Sequence, residues 1–112
     1  MALFPKALGQ LRPTDMNAAT LYTKGQSTVA YLDQLYICNT TASPTTYRVF
    51  VDADGSTYDQ ETALWYDFPL GANTTHTYAL KSYLLAEGST VGVRAGTGSA
   101  ITFTLFGEEV HG

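Results

Sequence analysis

The acidic residues of Asp52-Ala53-Asp54-Gly55, together with Asp59, have the chemistry of a cation site. Calcium sites need several oxygen atoms that converge on one ion, and loops with alternating aspartates supply such oxygens. The spacing of a complete calcium loop is absent here, and no glutamate stands at its far end. Because Asp-Gly also marks turns between strands, we interpret the segment as a hairpin turn. We expect no metal and no cofactor.

Groups suited to catalysis are few. The histidines are His76 and His111, and Glu108 and Glu109 are adjacent near the end of the chain. Adjacent side chains of an extended chain point to opposite sides, so these carboxylates do not form the facing pair that glycoside hydrolysis requires. The sequence holds no Gly-x-Ser-x-Gly segment, which would present a nucleophilic serine. We therefore expect a protein that is not an enzyme.

The single cysteine, Cys38, excludes a disulfide within the chain and a zinc site of several thiolates. It lies in an apolar run, so we expect a buried thiol that reacts slowly in the native protein. Asn39-Thr40-Thr41 and Asn73-Thr74-Thr75 match the N-glycosylation pattern. We see no secretory leader, and Asn and Thr are ordinary turn residues. We expect synthesis in a cytosol and no glycosylation at either segment.

Aromatic side chains are concentrated in the middle of the chain. They could form a stacking platform for a carbohydrate, or they could be core residues and cross-strand pairs. We favour core contacts and subunit contacts together, because half of these residues lie on alternating strand faces. Trp65 differs, since alternation places it on the face opposite Tyr66 and Phe68, and we expect it to contact another subunit. The aromatic residues concerned are Tyr58, Trp65, Tyr66, Phe68, Tyr78 and Tyr83.

Composition restricts the class of protein. The chain has 112 residues, of which 45% are hydrophobic and 14% charged, and this indicates one folded domain rather than a disordered chain. The net charge of −4 lacks the basic footprint of nucleic-acid binding. No apolar run approaches the roughly 20 residues that cross a bilayer. We therefore expect neither a nucleic-acid nor a membrane partner. A surface with so few charged residues is suited to being covered in an assembly.

Short segments of alternating apolar and polar residues, separated by turn residues, continue along most of the chain. This pattern predicts an all-β protein, a single antiparallel β-sandwich of seven to eight short strands, either immunoglobulin-like or jelly-roll. Asp33-Gln34 interrupts the alternation in the longest apolar stretch, which indicates a bulge or a break between two strands. The predicted core consists of Leu35, Ile37, Val49, Val51, Val91, Val93, Ile101, Phe103 and Leu105.

We divide the chain into three parts. Residues 1–17 are predicted to form an extended arm, because Pro5 and Pro13 disfavour both a helix and a central strand. Residues 18–107 are predicted to form the sandwich, and residues 108–112 a short acidic tail.

The arm carries four large apolar residues but no pattern that would bury them locally. Each such side chain gains about 1.5–3 kcal/mol when it is fully buried, so we expect the arm to pack against a neighbouring subunit or the virion surface. We expect a closed homo-oligomer, with a trimer as the working hypothesis. Removal of residues 2–12 is expected to leave a folded sandwich and to weaken assembly or binding to the particle. The expected assembly contacts are Leu3, Phe4, Leu8, Leu11 and Trp65.

Six segments, all of them turns or strand ends, carry a family resemblance that covers nearly the whole chain. They are Leu8-Gly9-Gln10-Leu11, Ala19-Thr20-Leu21-Tyr22-Thr23, Leu35-Tyr36-Ile37-Cys38-Asn39-Thr40-Thr41, Pro69-Leu70-Gly71-Ala72-Asn73-Thr74, Leu85-Ala86-Glu87-Gly88-Ser89-Thr90-Val91 and Phe103-Thr104-Leu105-Phe106-Gly107-Glu108-Glu109. Together they resemble the small β-sandwich virion proteins that are encoded among the structural genes of tailed bacteriophages. The turn at Tyr22-Thr23-Lys24-Gly25 departs from the Pro-Ala-Gly turn of that group.

The resemblance implies a structural protein of the virion that is synthesised in the host cytoplasm. It implies assembly through protein–protein contacts, as a capsid decoration or as a neck, tail or fibre accessory, with other capsid, neck or tail proteins as partners. The group has no defined active site, so the resemblance assigns no functional residue. The alternative is a carbohydrate-binding β-sandwich module, the receptor-binding part of a tail fibre.

Overall fold

The structure is a computed structural model that describes residues 6–111, so the predicted contacts Leu3 and Phe4 lie outside the described residues. No helix in the described range is long and apolar enough to span a membrane. The regular elements there are β1 (Lys6–Leu11), β2 (Ala19–Thr23), β3 (Thr28–Asn39), β4 (Thr45–Asp52), β5 (Ala63–Leu70), β6 (Thr75–Leu84), β7 (Thr90–Ala95) and β8 (Ile101–His111).

The strands form two four-stranded sheets. Sheet A has the order β1-β8-β3-β6 and sheet B the order β2-β7-β4-β5, and all pairings are antiparallel. Most connections between described strands pass from one sheet to the other, whereas β4 and β5 are neighbours in sheet B. The predicted all-β sandwich is confirmed, and the interleaved order identifies it as a jelly roll rather than an immunoglobulin-like fold.

The core lies between the two sheets. Of the nine core residues predicted from alternation, eight are at most 1% exposed, and Val51 is half-buried against the same cluster. Tyr47 and Leu70 join them and are fully buried. Alternation identifies the core well because both sheets bury one face against the other.

A bulge at Asp33 reverses the buried face of β3. The strand is continuous, but its register with both β6 and β8 shifts at this residue, so the bulge interpretation is confirmed. On β6 the same irregularity holds Lys81 at a φ of 49°, and its ammonium group is paired with the Asp33 carboxylate. The fully buried aliphatic residues are Ala30 and Leu32 before the bulge, and Leu35 and Ile37 after it.

The first described strand lies in the segment that is predicted from the sequence to be an extended arm. Residues 6–11 form β1, which pairs with β8 of the same chain. A bulge at Leu8 brings both Leu8 and Leu11 against the core, although residues three apart on a regular strand face opposite sides. Gly9 lies close to sheet B, since a Cβ atom there would be 2.3 Å from the Leu21 carbonyl oxygen.

The last strand also runs further than the sequence pattern indicates. β8 continues through the segment that was predicted to be an acidic tail and ends at His111. The Glu109 carboxylate accepts a hydrogen bond of 2.5 Å from the Tyr22 hydroxyl group on β2. It also lies 3.0 Å from the Lys6 ammonium group at the start of β1. These contacts join the two sheets at the β1–β2 side of the sandwich.

Candidate interaction surface

One half of sheet A contains no charged residue. The segments 7–11, 34–39, 75–80 and 101–106 lie side by side there, and none includes Asp, Glu, Lys or Arg. Their inward side chains belong to the core, and the outward ones form rows across the strands. We name this surface the uncharged face and define it as Gln10, Gln34, Tyr36, Cys38, Thr75, Thr77, Ala79, Thr102, Thr104 and Phe106.

Tyr36 lies at the centre of the uncharged face and is 41% exposed. Its ring meets the Phe106 ring edge-on, with centroids 5.6 Å apart and an interplanar angle of 72°. In register it stands opposite Thr104 on β8 and Thr77 on β6. Gln10 on β1 donates a hydrogen bond of 2.9 Å to the Thr104 hydroxyl group. A face of this kind can be covered without desolvating a charge, and aromatic residues are enriched in interface cores.

The sequence did not point to this surface, although a signal was present. Tyr36 stands between Leu35 and Ile37, so alternation alone places it outside the core. The same alternation corrects the prediction for Cys38, which is half-buried and lies on the uncharged face rather than in the core. Its partners in register are Thr102 and Thr75. The prediction that the Cys38 thiol is buried in the core is therefore wrong.

The outer face of sheet B is covered by its own chain. Tyr58, from the loop between β4 and β5, lies against Phe50 with ring centroids 5.5 Å apart. Its hydroxyl group lies 2.7 Å from both the Thr20 and the Thr90 hydroxyl groups. Gly92 makes room for the ring, because a Cβ atom there would be 2.5 Å from it. As a result Phe50 is 1% exposed although it does not belong to the core between the sheets.

The rest of that outer face carries charged residues. Arg48 binds Asp67 through two hydrogen bonds of 2.7 and 3.0 Å, and its guanidinium carbon lies 3.8 Å from the centroid of the Tyr66 ring. The Arg94 guanidinium group lies 3.8 Å from the same carboxylate. The hydrogen bonds from Arg48 hold the pKa of Asp67 below its usual range, and the positive charges act in the same direction. This part of the outer face of sheet B thus contrasts in charge with the uncharged face of sheet A.

A bulge in β5 determines where Trp65 points. The register with β4 shifts around Asp67, whose φ is 52°, so Trp65 and Phe68 face the same side although they are three residues apart. Trp65 stacks on Tyr78 of β6, with ring centroids 3.9 Å apart and an interplanar angle of 26°. The structure agrees with the prediction that Trp65 and Tyr66 lie on opposite faces of β5. The prediction that Trp65 and Phe68 also lie on opposite faces is wrong. A contact between Trp65 and another subunit stays a prediction.

A small polar network lies beside this stack. The Tyr47 hydroxyl group is 2.8 Å from His76 Nδ1 and 2.5 Å from the Tyr78 hydroxyl group. Burial, followed by the hydrogen bond to Tyr78, raises the pKa of Tyr47 well above its usual range. The phenol therefore stays neutral, and the network joins β4 of sheet B to β6 of sheet A.

A pocket opens between the edge strands β5 and β6. Its volume is about 150 Å³, and we name it the edge pocket. Leu64 and Tyr83 at its rim are 49% and 61% exposed, so apolar atoms reach the surface here. The residues that line it are Leu32, Val51, Leu64, Leu80, Ser82, Tyr83 and Leu84.

The edges of both sheets are irregular. In the described chain each edge strand, β1 and β6 in sheet A and β2 and β5 in sheet B, has a register shift against its neighbour. Bulges at an edge twist the unpaired backbone groups away from a regular row and so disfavour pairing with another chain. Faces and pockets, rather than strand addition, are the surfaces suited to binding.

The acidic segment after β4 begins a ten-residue connection to β5 instead of a tight hairpin turn. The Asp52 carboxylate accepts hydrogen bonds from the backbone N–H groups of Thr57 (2.7 Å) and Asp54 (3.2 Å), and these bonds lower the pKa of Asp52. Asp54 has a raised pKa because of its hydrogen bond to Asp52 and that residue's charge. Across the described residues no group of three or more His, Cys, Asp or Glu side chains is arranged to hold a metal ion.

The comparisons with known proteins are sparse. No family model and no curated protein matches the chain. Among solved structures, a chain in the structure of infectious bursal disease virus, Gx strain, matches over 99% of this chain, with 9% sequence identity and a TM-score of 0.48. This chain covers 32% of that one, about a third of its length. A likeness this distant supports no conclusion about the protein's role.

Proposed function

We propose that this protein is a non-enzymatic structural subunit of a bacteriophage virion, a capsid decoration or a neck or tail accessory that binds other virion proteins through the uncharged face. The observation that carries the proposal is the contrast between the two sheets. Sheet B is covered by its own loop and by charged side chains. Half of sheet A presents Tyr36, Phe106 and a set of threonines with no charge among them.

The energetics of the uncharged face favour burial by a partner. Desolvating hydroxyl groups costs little when they find partners, whereas a buried unpaired charge costs several kcal/mol. Aromatic side chains contribute large contact areas and are common among the residues that dominate binding energy. The resemblance of the sequence to small phage virion proteins supports the same role. Jelly rolls occur in capsid, lectin and cupin domains, so the fold alone does not select this function.

The test is binding to virus particles that lack this subunit, measured by co-sedimentation. Tyr36→Glu places a charge at the centre of the uncharged face and is expected to weaken binding by about tenfold or more. Tyr66→Glu is the matched control, because Tyr66 is also 41% exposed but lies on sheet B. Urea unfolding of both variants checks that each is folded. Equal binding by the two variants would contradict the proposal.

A second candidate function is carbohydrate binding, favoured by a separate feature. An open cavity of about 390 Å³ is lined by Tyr58, Asp59, Gln60, Glu61 and Tyr66. Aromatic rings for stacking beside carboxylate and amide groups for hydrogen bonding are the groups that sugar sites combine. Screening on a glycan array distinguishes the two functions. A glycan preference that Tyr66→Glu abolishes and Tyr36→Glu preserves would establish the carbohydrate function.

A further inference from the structure

The edge pocket has the size and chemistry to hold a phenyl ring. Its volume is about 150 Å³, and five of its seven lining residues are Leu or Val. Apolar cavities of about this volume remain dry and accept a benzene-sized guest. Leu64 at the rim is 49% exposed, and so the pocket leaves apolar surface in contact with water in an isolated chain.

The same chain supplies two apolar residues just before β1, Leu3 and Phe4. The start of β1 is fixed in position, because Lys6 pairs in register with Gly107 and its ammonium group lies 3.0 Å from the Glu109 carboxylate. In register across sheet A, Gly107 stands opposite Leu32, and Leu32 stands opposite Ser82 at the pocket. Lys6 and the edge pocket thus lie at opposite edges of one sheet.

Distance prevents these residues from filling the pocket of their own chain. Neighbouring strands are about 4.8 Å apart, so three strand spacings separate the Lys6 and Ser82 backbones by about 14 Å. The Cα atom of Phe4 can lie at most about 7 Å from that of Lys6, and the Cα atom of Leu3 at most about 10 Å. The side chains extend a few ångströms further, which still leaves both residues short of the Ser82 backbone. A path from β1 to the pocket must also pass around β6, since the core fills the space between the sheets.

We propose that Phe4 of one subunit, flanked by Leu3, inserts into the edge pocket of a neighbouring copy of this chain. The donor is at the β1 edge and the acceptor at the β5–β6 edge, so the contact is head-to-tail rather than self-complementary. Head-to-tail contacts of one kind close into a ring when the rotation between subunits permits it. This arrangement agrees with the cyclic homo-oligomer that we expect for the protein.

The test is the self-association of the full chain, measured by sedimentation velocity over a range of concentrations. Phe4→Asp and Leu64→Asp are each expected to weaken association by about tenfold or more. Met16→Asp is the control, because Met16 is 50% exposed, like Leu64, but lies away from the pocket. The two disruptive changes remove one contact, so together they should weaken association no more than either one alone.

A charge pair tests the contact directly. Phe4→Asp combined with Leu64→Lys is expected to recover part of the association that either single change loses. A monomeric unmodified protein, or a Leu64→Asp variant that associates like Met16→Asp, would overturn the inference. The inference depends on the proposed assembly role, yet it can fail separately, because particle binding through Tyr36 requires no contact between copies of the chain.

Discussion

Trp65 and Tyr78 stack at a centroid distance of 3.9 Å, and the two residues belong to edge strands of different sheets. Sheet A and sheet B are therefore joined on this side by an aromatic pair rather than by backbone pairing. The Tyr78 hydroxyl group continues the connection to Tyr47 in sheet B at 2.5 Å.

The first prediction concerns the stability that this stack contributes. Trp65→Ala should lower the free energy of unfolding by about 2–3 kcal/mol, less than the loss for a fully buried aromatic residue because Trp65 is half-buried. In a double-mutant cycle with Tyr78→Leu, the coupling energy should be about 0.5–1.5 kcal/mol. Urea unfolding measures all four proteins. Additive effects of the two changes would show that the stacked pair contributes nothing beyond its burial.

The second prediction concerns acid stability. Since Arg48 lowers the pKa of Asp67 in the folded state, the pair stabilises the fold above about pH 4, where the unpaired carboxylate is also ionised. That stability is lost as the pH falls through the lowered pKa. Water reaches both side chains, which are 22% and 48% exposed, so Asp67→Asn should cost only about 0.2–1 kcal/mol at neutral pH. The difference between variant and unmodified protein should vanish in acid, and a difference that persists there would have another cause.

The third prediction concerns alkaline stability. Burial, and then the hydrogen bond to Glu109 and its charge, raise the pKa of Tyr22 well above its usual range. Because the pKa of Tyr22 is higher in the folded state, the neutral phenol contributes to the stability of the fold. This contribution is complete below about pH 10, the pKa of an unperturbed tyrosine, and is lost as the pH rises further. Tyr22→Phe removes the titrating group and should flatten the decline. Urea midpoints between pH 8 and 11 measure the effect, and parallel curves for the two proteins would contradict it.

The fourth prediction concerns the thiol. Cys38 is half-buried on the uncharged face, so a small thiol reagent should label it in the native isolated protein without prior unfolding. The rate should be lower than in urea-unfolded protein because the folded chain covers part of the side chain. If the uncharged face binds another virion protein, labelling should slow further in the assembled particle. No labelling of the native isolated protein would mean that Cys38 lies inside.

Alternation predicted the core from the sequence because the sandwich buries one face of each sheet. Ile101, Phe103 and Leu105 on β8 follow it without interruption and are all fully buried. Strand order left no signal in the sequence, since a jelly roll and an immunoglobulin-like sandwich demand the same alternation.

Bulges explain some of the positions where alternation fails. Leu8 and Leu11 on β1, like Trp65 and Phe68 on β5, are three residues apart and share a side because an extra residue stands between them. A pattern search at a period of two counts such pairs as lying on opposite faces.

The aromatic part of the candidate surface was partly predictable. Tyr36 alternates with buried neighbours, but its partnership with Phe106 depends on a strand pairing distant in sequence.

The last prediction concerns truncation at the start of the chain, where the structure changes the design of the experiment. Deleting residues 2–12 was expected to leave the sandwich intact, but it removes β1, which pairs with β8 and packs Leu8 and Leu11 against the core. It also removes Arg12, which donates a hydrogen bond of 2.5 Å to the Ser99 carbonyl oxygen. We expect this deletion to lower the free energy of unfolding by about 2 kcal/mol or more. Deleting residues 2–5 alone should leave the urea midpoint of the isolated chain unchanged, because all eight strands remain.

The two deletions together separate folding from assembly. The short deletion removes Leu3 and Phe4 and should weaken self-association while stability is unaffected. The long deletion should affect both, since it leaves β8 as an unprotected edge of sheet A. Urea unfolding and sedimentation velocity on the same preparations provide the two measurements. If the long deletion is as stable as the full chain, β1 is not part of the cooperative fold. Residues 6–11 would then belong to the arm that the sequence predicted.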